Sequence, residues 1–167
     1  MRFDQSKNTH LTRTPGSAGN RRTWTWSGWC KRQDLGDFRR LFEAGSNTSN
    51  FTTITWQGDN DSIELMSRTS GTNKFRVKTA RLFRDLSAWY HVVVSMNILS
   101  ETQTDRCKIY INGERITDFD DNTQQNNVEE VSFVNGTDNH FIGSANNEAS
   151  TYNGYMSQIY LIDGIEL

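Results

Sequence analysis

Short runs of alternating hydrophobic and polar residues recur along the chain, separated by clusters of Gly, Asn, Asp and Ser. Runs with this period of two, rich in β-branched and aromatic residues, predict β-strands. The clearest run spans residues 23–31, where Trp24 and Trp26 share one face with Cys30 while Trp29 lies on the other. Further strands are predicted near residues 2–4, 9–13, 40–44, 51–57, 62–67, 74–79, 89–97, 106–112, 114–118, 128–133, 139–143 and 154–162.

Turn and loop signals connect these strands. Asn112-Gly113 predicts a tight hairpin, because both residues tolerate the positive φ angles of a type I′ turn. Two long, very polar segments, 119–127 and 144–153, are predicted to be loops, and residues 80–86 could form a short helical turn. Many short strands with few helical windows predict an all-β fold, an antiparallel jelly-roll β-sandwich, and we expect a single domain over residues 1–167.

The segment 89–94 is apolar on both faces, as expected of a central strand in a sandwich. We assign Trp89 mainly to the core, together with Trp24, Trp26 and Trp29. His91 lies in the same strand and is interpreted as a packed, hydrogen-bonded imidazole in preference to a catalytic base.

Composition narrows the classes of function. The 167 residues are 34% hydrophobic and 11% aromatic but only 23% charged, so the polarity comes from neutral side chains. An aromatic content this high disfavours disorder. The net charge of −2, with no basic stripe, argues against nucleic-acid binding, and the apolar runs are too short to span a bilayer.

The N-terminal residues include no apolar signal-peptide core, so either export takes another route, such as virus assembly and lysis, or an upstream segment is missing. Two cysteines, Cys30 and Cys107, each occupy an apolar position within a strand-like run. They are interpreted as buried core thiols, with a single inter-strand disulfide as the alternative.

Several segments resemble one known family. They are residues 24–32 (WTWSGWCKR), 89–94 (WYHVVV), 108–113 (KIYING), 141–143 (FIG) and 152–164 (YNGYMSQIYLIDG), preceded by 11–20 (LTRTPGSAGN). In this order they are similar to the laminin-G/pentraxin-like branch of the concanavalin A-like lectin/glucanase superfamily. The versions in fibre and appendage proteins of tailed phages are the most similar.

The resemblance implies a concanavalin A-like sandwich in which the closing strand, 154–162, lies beside N-terminal strands at 2–4 and 11–13. It also implies adjacent termini, which would allow insertion into a larger fibre. Related glucanases carry closely spaced carboxylates on one strand, and this chain has no such strand. Glu129 and Glu130 would point to opposite faces, so we expect no enzyme activity.

Sugar binding is the activity that the residues favour. Aromatic faces stack on sugar C–H patches, while Asn, Asp and Gln side chains bond hydroxyl groups. The candidate ligand-binding residues are Asn50, Trp56, Asn146, Asn147, Tyr152 and Tyr155. For Trp56 and Tyr155, packing within a sheet is the alternative role.

No cofactor is expected to be obligatory. By the resemblance to pentraxins, calcium could bind loops at Asn50, Asn147 and Glu148, although Asn stands where most of the family's acids lie.

We therefore expect a non-catalytic recognition module in a virion, such as a tail-fibre domain, that binds cell-surface glycan through sandwich-end loops. Many copies would act together, because single-site binding to glycans is weak. A second hypothesis is a structural decoration domain that packs against other virion proteins. A glycoside hydrolase, which would need two facing carboxylates, is the third.

Overall fold

The computed structural model describes residues 1–124 and 132–167 as two packed antiparallel sheets. Its strands are β1 (Arg2–Phe3), β2 (Leu11–Arg13), β3 (Thr23–Arg32), β4 (Arg39–Asn47), β5 (Asn50–Trp56), β6 (Ile63–Thr69), β7 (Thr72–Thr79), β8 (Tyr90–Asn97), β9 (Cys107–Ile111), β10 (Glu114–Arg115), β11 (Phe119–Thr123), β12 (Asn139–Ile142) and β13 (Gly154–Asp163). The all-β sandwich predicted from the alternation is therefore confirmed.

One sheet has six strands in the order β1-β13-β3-β8-β9-β10, and the other has seven in the order β11-β7-β6-β5-β4-β12-β2. β3 and β8 pair with each other in the interior of the six-stranded sheet. The inner face of β3 carries Trp24, Trp26 and Cys30, all fully buried, as the alternation predicts.

Cross-strand rows fill the core from the other sheet. Phe42, Ile54, Leu65 and Val77 stand side by side on β4 to β7, and all four belong to the buried cluster between the sheets. Because side chains alternate along a strand, the residues next to this row on β5, β6 and β7 face outward. The outer surface of this sheet is thus defined by the register that buries the core.

Two local predictions are confirmed. Asn112 and Gly113 have φ angles of 54° and 84°, and they close the hairpin between β9 and β10. His91 stacks on Trp29 with ring centroids 5.0 Å apart, and its Nε2 lies 3.0 Å from Ser27 Oγ. It is therefore the packed, hydrogen-bonded imidazole that the sequence indicates.

The boundary between the predicted strand 114–118 and the predicted loop 119–127 is wrong. The strand ends at Arg115, and residues 119–123 form β11, which pairs with β7 in the opposite sheet. The chain crosses between sheets here, and an edge strand with exposed faces needs no apolar alternation. The predicted strand 128–133 falls largely on 125–131, outside the described residues, and Ser132 and Phe133 are not in a strand.

The predicted helical turn at 80–86 is also wrong. Its amide groups bond to distant segments instead, from Ala80 to the Asp118 carbonyl and from Phe83 to the Asp61 carbonyl. Single 3-10 turns occur at Gln5–Lys7 and Gln103–Asp105. Among the described residues, none of the helical segments has the length and apolar character needed to cross a bilayer.

Two further expectations need correction. Trp89 precedes β8 and is 41% exposed, so it is not a core residue. Of the N-terminal strands, β1 does pair with β13, but β2 pairs with β12 in the other sheet. The N-terminal segment thus crosses from one sheet to the other between β1 and β2. The resemblance implies that both strands lie beside β13, but this crossing leaves only β1 there.

Both cysteines are free thiols buried in the core. Burial in apolar surroundings raises the pKa of the Cys107 thiol to about 12 and raises that of Cys30 further, because the thiolate would be desolvated. The interpretation as core thiols is confirmed, and the disulfide alternative is not.

One buried ion pair joins the end of β3 to the loops beyond the sheets. Arg32 Nη2 donates to Asp61 Oδ1 at 2.8 Å, and Arg32 Nη1 donates to the Phe83 carbonyl at 2.9 Å. The amide of Gly36 also donates to Asp61 Oδ1. Because both charged groups are buried, removing one leaves the other without compensation.

We expect Asp61→Asn to lower the free energy of unfolding by about 3 kcal/mol, since it strands the buried Arg32 charge. Asn tolerates the positive φ of 62° at this position, so the backbone is not strained by the change. Urea unfolding measures the effect. Asp59→Asn is the matched control, because Asp59 pairs with Lys78 at a largely exposed carboxylate and its loss should cost about 0–1 kcal/mol. Equal effects of the two substitutions would contradict this role.

His140 on β12 is held as a neutral imidazole. Its Nε2 accepts from the Asn135 amide at 3.0 Å, and its Nδ1 lies 2.9 Å from the Asp138 carbonyl oxygen. Burial lowers the pKa of His140, and the nearby charge of Arg13 adds to the effect. The unfolded chain therefore binds a proton at a higher pH than the folded chain does.

This difference predicts a loss of stability as the pH falls from 7 to 5, because the unfolded state gains a proton that folded His140 resists. His140→Gln should show a smaller decrease across that window, measured by urea unfolding at each pH. Between pH 7.5 and 8.5 this imidazole is neutral in both the folded and the unfolded state. The free energies of unfolding of the two proteins should therefore change with pH in parallel over that range. Identical slopes from pH 7 to 5 would refute the assignment.

Candidate functional site

A groove of about 300 Å³ lies on the outer face of the seven-stranded sheet. Its lining comes from β4, β5 and β6, from the hairpin between β4 and β5, and from the loop before β13. The lining residues are Arg40, Glu43, Thr48, Phe51, Met66, Arg68, Ala145, Asn146, Asn147, Ala149 and Ser150.

A β-bulge in β4 places two charged side chains in this groove. The register shifts between Arg40 and Phe42, so Leu41 and Phe42 both enter the core while Arg40 and Glu43 face outward. Arg40 Nε lies 3.3 Å from Glu43 Oε2, in ion-pair contact but without the alignment of a hydrogen bond. Burial raises the pKa of Glu43, against the opposing effect of Arg40.

The loop of residues 144–150 forms one wall and is fastened to β4. The amide of Asn146 donates to Glu43 Oε1 at 2.8 Å, and the amide of Arg40 donates to the Ser150 carbonyl at 2.9 Å. Within the loop, Asn147 Oδ1 accepts from the Ala149 amide. The side-chain amide of Asn146, Nδ2, is buried and has no hydrogen-bond partner among the described residues.

The hairpin of residues 47–50 forms the opposite wall. Asn50 Oδ1 accepts from the Ser70 amide at 2.9 Å, which ties this hairpin to the one between β6 and β7. Asn50 Nδ2 donates to Asn47 Oδ1. Asn50 thus supports the wall, while its neighbour Thr48 lines the groove.

The floor combines apolar surface with cations. The guanidinium groups of Arg40 and Arg68 each lie 5.8 Å from the centre of the Phe51 ring. Both contacts are within the range of a cation–π interaction. Arg68 pairs with Phe51 across the two strands, and Met66, two residues before Arg68 on β6, supplies further apolar surface.

The structure divides the sequence-predicted site residues among three places. Asn146 and Asn147 line the groove, and Asn50 braces it. Tyr155 is partly buried on the six-stranded sheet, paired with Lys31, and therefore faces the other side of the sandwich. Trp56 and Tyr152 are both 0% exposed, so they are core residues and cannot contact a sugar from solvent.

The sequence analysis did not identify the charged residues of the groove. Met66 and Arg68 alternate with the buried residues Leu65 and Ser67 of β6, so Arg68 could have been placed on the outer face from the pattern alone. Arg40 and Glu43 could not, because the bulge between them breaks the period of two.

The three predicted calcium ligands make a poor donor set. Only Glu148 is a carboxylate, and the side-chain oxygens of Asn50 and Asn147 already accept backbone amides. Among the described residues, no three His, Cys, Asp or Glu side chains are grouped as a metal site would require. Calcium prefers several oxygen ligands with carboxylates among them, and these residues do not match that preference.

The groove also lacks the acid pair of a glycosidase. Glu43 is the single carboxylate among its lining residues, and its two oxygens already face the Asn146 amide and Arg40. Retaining and inverting mechanisms both need a second carboxyl group across the scissile bond.

A larger cleft of about 450 Å³ lies where β2 and β12 meet β13. Apolar side chains make up half of its wall, including Leu11, Ile142 and Leu161, with the fully buried Trp26 behind them. None of the sequence-predicted site residues lines it. The smaller groove is therefore the better candidate for a polar ligand such as a sugar.

Comparisons with known proteins agree with the fold. A family model described as "Concanavalin A-like lectin/glucanases superfamily" matches residues 5–164. No curated protein sequence matches the chain.

Solved structures with the same fold come from several sources. Mouse laminin α1 chain domains LG4-5 superpose with a TM-score of 0.66 at 13% identity, covering 96% of this chain and 40% of that one. Tailspike protein 2 of an Escherichia coli O157:H7 bacteriophage superposes with a TM-score of 0.62 at 17% identity, covering 96% of this chain and 22% of the tailspike. The CBM40 of Ruminococcus gnavus IT-sialidase, bound to α2,3 sialyllactose, superposes with a TM-score of 0.56 at 14% identity, covering 93% of this chain and 91% of the CBM40. The chain thus spans less than half of the laminin fragment and of the tailspike.

The contact between Glu43 and the Asn146 amide predicts how the wall loop is held. We expect Glu43→Ala to speed hydrogen exchange at the Asn146 amide by about tenfold or more, since losing a buried acceptor costs about 1–3 kcal/mol. Exchange is measured by NMR at constant pH. Glu43→Gln is the matched control, because its amide oxygen can still accept the bond. Exchange as slow in the alanine variant as in the parent would show that the loop is held by other contacts.

Proposed function

Since the chain belongs to the concanavalin A-like lectin/glucanases superfamily, we propose that it is a non-catalytic glycan-binding module whose site is the groove between residues 40–51, 66–68 and 145–150. The observation that carries this proposal is the unpartnered, buried side-chain amide of Asn146 at a polar groove. A buried donor without an acceptor is costly, and a sugar hydroxyl would satisfy it.

The composition of the groove supports a sugar as ligand. Asn147 and Thr48 add hydrogen-bonding groups at the walls and Arg68 adds them at the floor, while Met66 and Ala145 offer apolar surface for a C–H patch. Its single, engaged carboxylate supports binding without hydrolysis.

We further propose that the module belongs to an appendage of a phage virion, as one domain over residues 1–167, and recognises a host cell-surface glycan with many copies acting together. The similarity to a phage tailspike and the neutral polar surface favour this setting. Multiple copies would raise an inherently weak affinity through effective concentration. This binding is proposed to need no calcium, because Asn50, Asn147 and Glu148 make a poor set of calcium ligands.

A structural role in a virion is the second candidate, and one surface favours it. Loops 33–38 and 80–88 are held side by side by Asp61, which bonds the amides of Gly36 and Phe83. These loops, with Trp89 that follows them, expose large apolar side chains, namely Leu35, Phe38, Leu82, Leu86 and Trp89. Apolar side chains exposed in a cluster are typical of a surface that packs against another protein.

A glycan array probed with the module fused to a multimerising scaffold tests the glycan-binding proposal. We expect binding to a defined subset of glycans, and the Asn146→Ala/Asn147→Ala variant should bind about tenfold more weakly, since each lost hydrogen bond costs about 0.5–1.5 kcal/mol. Asn122→Ala, at an exposed position of the distant edge strand β11, is the matched control. Failure of the multimer to bind any glycan or host cell would refute the proposal, and an undiminished double variant would exclude this groove.

A further inference from the structure

The charges of the groove are unbalanced. Arg68 donates through Nε to Asn73 Oδ1 at 3.0 Å, and no carboxylate among the described residues is in ion-pair contact with it. Elsewhere on this face the cations are paired, as with Arg76 and Glu64 or Lys78 and Asp59. Arg40, Arg68 and Glu43 together leave the lining with a formal excess of one positive charge.

The two cations also share one support. The guanidinium groups of Arg40 and Arg68 each lie 5.8 Å from the centre of the Phe51 ring, so one aromatic ring contacts both cations. Burial lowers the pKa of Arg40, and the charge of Arg68 adds to that effect against Glu43 and Glu64. A bound anion would reduce this repulsion, since opposite charges attract most strongly where water is partly excluded.

Hydrogen-bond donors also exceed acceptors at this site. Asn146 Nδ2 and Arg40 Nε are buried and have no hydrogen-bond acceptor among the described residues. Glu43, the groove's carboxylate, already faces the Asn146 backbone amide and Arg40. A ligand that fits must therefore bring acceptor oxygens and a negative charge.

We propose that the groove selects sugars that carry a carboxylate, with Arg68 and Arg40 binding the carboxylate and Asn146 bonding an adjacent hydroxyl or acyl oxygen. This inference rests on the proposed glycan-binding function and specifies its ligand class. A planar guanidinium matches a carboxylate through two parallel hydrogen bonds, which gives direction as well as charge. A volume of about 300 Å³ suits a single sugar ring, with Met66 and the Ala145 and Ala149 methyl groups against its apolar face.

Matched sugar pairs test the selection. Titrations followed by NMR compare methyl β-D-glucuronide with methyl β-D-glucoside, and the methyl glycoside of N-acetylneuraminic acid with its carboxamide. At low ionic strength we expect each acid to bind about tenfold or more tightly than its neutral partner. The preference should shrink in 0.5 M NaCl, because salt screens charges at a partly exposed site.

Variants assign the preference to residues. Arg68→Gln keeps a hydrogen-bonding side chain but removes its charge, so it should abolish the acid preference by weakening the binding of the acid far more than that of the neutral sugar. Arg68→Lys keeps the charge but loses the planar fork and should retain part of the preference. Arg13→Gln, on the exposed edge strand β2, is the matched control and should bind like the parent protein.

Each outcome separates this inference from the function on which it rests. Equal binding of acidic and neutral sugars, or a preference that survives Arg68→Gln, would overturn the carboxylate selection while leaving glycan binding intact. Tighter binding of glucose 6-sulfate than of the glucuronide would also overturn it, because the site would then select another anion. Failure of every sugar to bind would refute both proposals.

Discussion

A buried guanidinium joins the parts of this sandwich. Arg32 ends a strand of the six-stranded sheet, and its charge lies 5.2 Å from the centre of the Trp56 ring in the other sheet. The same group bonds Asp61 and the Phe83 carbonyl, which hold the loops at this end. A charge buried so deeply is tolerated only with its partners in place, so the two sheets and the end loops must assemble together.

The side chains packed around this cation include Trp56, which is fully buried. Its ring packs against Phe83 and Tyr90 at centroid distances of 5.3 and 5.8 Å, beneath the Arg32 charge. An aromatic residue near a strand end is a reasonable candidate for stacking on a sugar when only the sequence is known. Alternation along β5 already puts Trp56 on the inner face with Ile54, whereas the cation above its ring comes from a strand 24 positions earlier in the chain, which no local pattern reveals.

Alternation predicts the fold well because a strand buried on one face must repeat with a period of two. It fails where that condition lapses. β11 has no buried face to produce the pattern, and the bulge in β4 places two successive residues, Leu41 and Phe42, in the core. The candidate site was predictable to the same extent, since Asn146 and Asn147 stand out in a polar loop whereas Arg40 is hidden by the bulge. The solved structures share this fold at 13–17% identity, and a fold shared at this level does not determine the side chains of a site.

The two core thiols have a consequence for how the domain tolerates its surroundings. Cys30 and Cys107 occupy positions that small apolar side chains could fill, and burial keeps both protonated at neutral pH. A thiol that rarely ionises reacts slowly with oxidants and with disulfides. The covalent structure of the folded domain is therefore the same under reducing and oxidising conditions, and its stability comes from non-covalent contacts without a disulfide. Such a domain can pass from the reducing interior of a cell to aerated water without forming or breaking a disulfide bond.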